Sequence, residues 1–201
     1  MSIGKGVKKI WEFLKTDTWQ SWIVSLVLMV VIIKFVFFPG LSLLTGSELP
    51  LVVVESCSMY HETNFDEWWD KNAEWYESND IEKPDFASFR MKNGFSKGDV
   101  IFVWGRSDVS VGDIIIFNPN AEAQARYPII HRVISLDPIA TKGDHNQRQL
   151  TVNNNVQKID ETNIPREQVI GEAVFRVPFI GWLKLVFFEF GRPPEQRGLC
   201  R

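Results

Sequence analysis

Between Trp22 and Phe38 the chain reads WIVSLVLMVVIIKFVFF, an apolar run interrupted only by Ser25 and Lys34. As a helix rising about 1.5 Å per residue it reaches about 26 Å, close to the hydrocarbon thickness of a bilayer. A run apolar on every face needs more protein around it than 201 residues supply. A transmembrane anchor is therefore predicted, with Lys34 near enough to one end to reach the headgroups. A cleaved leader is the rival reading, but the run exceeds the usual leader core and no A-x-A site follows. Lys5, Lys8, Lys9 and Lys15 precede the run, whereas Pro39 to Pro50 carries only Glu48. That bias keeps the N-terminus in the cytoplasm and puts the rest of the chain on the outer or lumenal side of a cell membrane. The expected division is a basic N-terminus at 1–21, an anchor at 22–44 and an extracytoplasmic domain at 45–201.

Charge excludes one class of partner. With 22 Lys and Arg against 25 Asp and Glu, no nucleic-acid surface is indicated. Cys57 and Cys200 are too few for a disulfide framework and lack metal-site spacing. His61, His131 and His145 stand in no HExxH or paired-cysteine context, so neither a metal nor another cofactor is expected.

Beyond the anchor the pattern turns to short β segments. Leu51 to Val54, VIFVW at 100–104, IIIF at 114–117, IIHRVISL at 129–136, Leu150 to Val152 and Val169 to Val177 are strand candidates, with Gly-Asp turns before several of them. They predict a mainly β fold, a twisted and partly closed β body. Residues 62–85 interrupt it with acidic side chains and Trp68, Trp69, Trp75 and Tyr76. Their spacing predicts one or two helical turns in an insertion spanning about 62–92, aromatics packed inward and carboxylates in water. Near the C-terminus, VPFIGWLKLVFFEF at about 177–190 is apolar but short for a span. It suits an interfacial segment or a last core strand and helix, with Arg192, Arg197 and Arg201 following into solvent.

The residues that point to chemistry begin where the first strand ends, in ESCSM at 55–59. On an extended backbone Ser56 and Ser58 point to one side and Cys57 to the other, which argues against Cys57 as nucleophile. Ser58, His131 and Asp144 supply a nucleophile, a base and a carboxylate able to fix the imidazole tautomer. The Ser58 N–H and the Ser56 hydroxyl would hold the oxyanion. His61 is too close in sequence to Ser58 to reach it correctly as a base.

These boxes resemble the type I signal peptidases, in the archaeal and endoplasmic-reticulum branch that pairs serine with histidine. The resemblance rests on the anchor, ESCSM at 55–59, GDIIIF at 112–117, HRVI at 131–134, TKGDHN at 141–146 and RVPFIGWLKL at 176–185. It covers most of residues 20–190 and fails over the acidic insertion. It implies a signal-peptidase-like β fold, Ser58 as nucleophile, His131 as general base, Ser56 as oxyanion donor, Asp144 as the third member and Met59 packed beside the substrate groove. Three positions depart from the family pattern: Cys57 and His61 replace a usual glycine and proline, and Leu150 stands where a further aspartate is expected. That last change leaves Asp137 and Asp160 as alternatives to Asp144.

The implied activity is removal of signal peptides from exported preproteins, with preprotein signal peptides, membrane lipid and a neighbouring Sec translocon as partners. The alternatives are a membrane serine peptidase for pilin-like or regulatory precursors and a non-catalytic peptide-binding module. Oligomeric state is not legible from these residues.

Overall fold

The computed structural model describes residues 3–125 and 127–200, so Arg201 lies outside the described residues. The chain divides into two units, Met1–Leu44 and Thr45–Arg201. In the first, α1 (Ile3–Leu14) precedes α2 (Trp19–Ile32), a π turn (Ile33–Phe37) and α3 (Phe38–Thr45). Thr18 caps α2 by accepting from the Ser21 amide at 3.3 Å. From Trp19 to Thr45 the helix runs on for 27 residues, and its most apolar 18-residue stretch has a mean hydropathy of 2.6. It is long and apolar enough to cross a membrane, which supports a single-pass protein. Pro39 does not end it, because the widened turn before the ring absorbs the missing N–H.

The second unit is built on a six-stranded antiparallel sheet in the order β1-β2-β6-β3-β4-β5. These strands are β1 (Leu51–Val53), β2 (Val100–Trp104), β3 (Ile114–Phe117), β4 (Ile129–Leu136), β5 (Ile139–Lys142) and β6 (Val169–Val177). In β2, Ile101 and Val103 are buried while their neighbours are not, the period of two expected of a half-covered strand. IIIF is buried throughout, as suits a central strand with both faces covered. Gly98 and Gly112 enter their turns at φ of 91° and 93°, and the aspartates after them accept backbone N–H bonds from Ser96 and Ser110.

Two expectations are corrected. Leu150–Val152 forms no strand, because Asn154 and Asn155 bond the Thr151 backbone and turn the chain there. The strand beside β4 is β5, reached through a tight turn at Asp137-Pro138. Nor is the protein mainly β by residue count: the long apolar helix and the insertion put more residues in helices than in strands, although the partly closed sheet remains the frame.

The insertion is more regular than its pattern suggests. Asn64 caps α4 (Phe65–Glu77) by accepting from the Glu67 amide at 3.1 Å, and α5 (Lys83–Ser88) follows. Trp68, Trp69, Tyr76 and Phe86 pack with Ile134 and Ala140 of the sheet. Asp66 and Asp70 face outward, paired with Lys83 at 3.0 and 3.9 Å.

The tail closes with α6 (Trp182–Glu189), anchored by Trp182 Nε1 donating to the Lys97 carbonyl at 3.2 Å and by buried Leu185. Arg192 does not run into solvent as expected. Its guanidinium is held by the carboxylate and carbonyl of Glu55.

Candidate active site

The serine box follows β1 and is pinned at both ends. Val54 donates to Asp99 and accepts from Gly98, and the Phe95 amide donates to the Met59 carbonyl. Between these pins the backbone turns, so Ser56 and Ser58 converge by a turn rather than by strand alternation. Their hydroxyls lie 3.2 Å apart. Among the described residues the Ser58 amide donates to no acceptor, which leaves it available to an oxyanion.

Met59 is 1% exposed and packs with Val54, Phe95 and Ile130. Its thioether also accepts from the Asp144 amide at 3.5 Å. Met59, expected beside a substrate groove, is thus a peg that seats the box in the core.

His131 lies on β4 opposite Ile115 of β3, and Arg132 lies opposite Ile114. Adjacent strand residues face opposite sides of the sheet, so the His-Arg pair divides between two environments. On its side, His131 Nδ1 is hydrogen-bonded to a carboxylate oxygen of Glu161. Glu161 is fully buried; Thr141 Oγ1 donates to it at 3.3 Å and the Leu150 amide at 2.7 Å. Thus Leu150, the departure from the family pattern, serves through its backbone by holding a carboxylate from elsewhere in the chain.

The other imidazole nitrogen faces the serine box across Gly143. A Cβ built on Gly143 would stand 2.7 Å from His131 Nε2 and 2.8 Å from the Ser58 carbonyl oxygen. Only a residue without a side chain lets the imidazole and the serine backbone approach in this way. The His145 amide fixes the same carbonyl at 2.8 Å.

Asp144, expected as the third member, is held in a separate assembly with Arg132, His61 and Tyr76. Arg132 Nε and Nη2 donate to its two oxygens at 3.0 and 2.6 Å, a bidentate pair in a site closed to solvent. His61 Nε2 lies 3.1 Å from Oδ2, and the Tyr76 hydroxyl donates to Oδ1 at 3.3 Å. Burial works against the charge on Asp144, but Arg132 and His61 outweigh it and hold the carboxyl well below the usual range. His61 stacks on Trp68 at 3.8 Å. Tyr76 is pushed up by burial and then by the Asp144 charge.

Neither alternative carboxylate reaches His131. Asp137 sits in the β4–β5 turn, and Asp160 Oδ1 binds the Thr162 amide and hydroxyl at 3.0 and 2.6 Å. Glu161 was missed because it lies in a polar loop, 30 positions from His131. The available signal was a carboxylate flanked by Ile159 and Ile164, both of which are buried.

A lone Ser-x-Ser segment is weak evidence, but over most of its length the chain is similar to proteins whose names carry an activity. No model of a known protein family matches the chain. The catalytic subunit SEC11 of the signal peptidase complex from Colletotrichum graminicola is 26% identical over 165 residues, covering 78% of this chain and 74% of that protein. Its counterpart from Pyricularia oryzae is 27% identical over 164 residues, 77% of this chain and 73% of its own length. That of Sclerotinia sclerotiorum is 31% identical over 108 residues, 49% of this chain and 59% of its own. The chain is homologous to these catalytic subunits.

One feature near Ser58 had no sequence signal at all. Cys57 and Cys200 form a disulfide across 143 positions, although two isolated cysteines did not suggest a framework.

Proposed function

We propose that the chain is a membrane-anchored serine endopeptidase of the signal peptidase I type, in which Ser58, His131 and Glu161 act together on the signal peptides of exported preproteins. Homology to the SEC11 catalytic subunits supports the reaction class. The observation that carries the residue assignment is the pairing of His131 Nδ1 with Glu161 while Nε2 faces the Ser58 backbone.

In this reading an extended substrate segment lies along the serine box, and His131 Nε2 removes the Ser58 proton as Oγ attacks the scissile carbonyl. The resulting imidazolium is stabilised by Glu161, whose position fixes the tautomer with its lone pair on Nε2. The Ser58 amide and Ser56 hydroxyl receive the oxyanion. Loss of one such donor typically costs about 2.7–4 kcal/mol of transition-state stabilisation. His131 then protonates the leaving amine, and water, activated by the same imidazole, releases the acyl group from Ser58.

The domain that follows the anchor belongs on the outer or lumenal face. The lysines before the anchor support that orientation, and so does the disulfide, a bond that persists in oxidising compartments. On α6, Leu183 and Phe187 are 77% and 81% exposed, and Phe190 just beyond it is 82% exposed. Such a surface suits the boundary between headgroups and acyl chains, where enzyme and substrate share two dimensions. Proximity to a translocon follows from the same substrate.

The test is cleavage of a preprotein by the detergent-solubilised chain, wild type beside Ser58→Ala. Cleavage by the wild type and none by the variant is expected. Equal cleavage by both would remove Ser58 from the mechanism.

A further inference from the structure

The residue between the two hydroxyls is fastened to the far end of the chain. Cys57 is disulfide-bonded to Cys200, and Cys200 is buried, its sulfur accepting from the Lys97 amide at 3.4 Å. Two positions earlier, Glu55 is gripped by the same tail: Arg192 donates to its carbonyl at 2.9 Å, and Lys184 reaches its carboxylate at 3.0 Å. Lys97, itself 1% exposed, binds Glu189 and the Gln196 carbonyl, each at 2.7 Å, and so ties the tail to the turn before β2. The tail is thereby held at Glu55, at Cys57 and at the turn that supports β1.

We propose that the segment from Lys184 to Cys200 is a strap that positions the serine box, with Cys57 and Cys200 as positioning residues. This proposal rests on the peptidase reading above. Ser56 and Ser58 lie in a turn, outside any strand, so little of the sheet's hydrogen bonding holds their backbone. A covalent tie on the intervening residue restricts both neighbours at once. An oxyanion site off by a fraction of an ångström loses much of its effect, so that restriction bears on turnover more than on substrate affinity. It also makes the enzyme sensitive to reduction. A dithiol supplies two electrons and two protons, the Cys57–Cys200 bond breaks to two thiols, and the dithiol leaves as a cyclic disulfide.

The experiment compares oxidised full-length protein, the same protein after dithiothreitol, and the Cys57→Ser/Cys200→Ser variant, all on one preprotein well below the unfolding temperature. Reduction and the double substitution are each expected to lower kcat at least tenfold with KM nearly unchanged. Reoxidation is expected to restore the wild type, and the variant is expected to ignore the dithiol. A lowered unfolding temperature with unchanged kcat would show a tie that only stabilises the fold and would overturn the proposal. If the oxidised wild type cleaves nothing, the peptidase reading has failed instead, and the strap is judged by amide hydrogen exchange over residues 55–60. Exchange there is expected to accelerate at least tenfold on reduction, and unchanged exchange would overturn it.

Discussion

Two histidine–carboxylate assemblies are buried in the body of this protein, and they use their carboxylates in opposite ways. Asp144 receives two guanidinium N–H bonds, the Tyr76 hydroxyl and the close approach of His61. Its charge is matched by a permanent cation, and no oxygen is left to follow the titration of a catalytic base. Glu161 receives a hydroxyl, one backbone amide and His131. One of its partners is the imidazole proposed as the base, so its charge has most to stabilise when that imidazole is protonated. A carboxylate saturated by arginine is a lock, whereas one matched to an imidazole is suited to orient a base.

The largest effect expected from this contrast is on turnover. His131→Gln keeps a donor beside Glu161 and removes the base; cleavage is expected to fall about 10⁴-fold, with little change in unfolding temperature. Preprotein processing and a thermal melt on the same sample check both halves. The opposite pattern is expected for Asp144→Ala, which strands the fully buried Arg132. It is expected to destabilise the fold by about 3–5 kcal/mol in denaturant titration, while molecules that remain folded keep most of their turnover. Severe loss of turnover in well-folded Asp144→Ala would break the comparison.

Gly143→Ala sharpens it from the catalytic side. The added methyl enters the gap shared by His131 Nε2 and the Ser58 carbonyl, and overpacking of about 1–3 kcal/mol is expected. A fall in kcat is expected in steady-state kinetics, since the gap lies between the His131 imidazole and the backbone of Ser58.

The smallest effect is a pH dependence beside the lock. Burial pushes the Lys142 ammonium down to about 8, although Asp144 and Glu161 oppose the shift. Between pH 8 and the unfolded value of 10.5 the unfolded chain binds the extra proton, so this group makes stability rise with pH through that window. Denaturant titrations at pH 8 and pH 10 are expected to show the rise, and Lys142→Met is expected to flatten it.

How far these assemblies were legible depends on how local each signal is. The apolar run, the β-branched segments at 100–104, 114–117 and 129–136, and the aromatic face of 65–76 declare themselves through neighbours a few positions apart. The strand β5 did not, because a short ATK segment before a Gly-Asp turn reads as part of the turn. The choice between Asp144 and Glu161 was beyond local pattern. It depends on Arg132 facing the side opposite His131 and on a loop folding back so that Leu150 and Thr141 present donors to Glu161. The Cys57–Cys200 bond is the extreme case, since nothing near either cysteine indicates its partner.

In the peptidase reading proposed above, Glu161, and not Asp144, orients the imidazole of His131. Steady-state kinetics of Glu161→Gln beside Glu161→Asp, each with its unfolding temperature, test it most directly. A fall in kcat of about 10³–10⁴-fold is expected for Glu161→Gln, with KM little changed and the protein folded, and partial recovery in Glu161→Asp. A folded Glu161→Gln enzyme that turns over preprotein at the wild-type rate would contradict it.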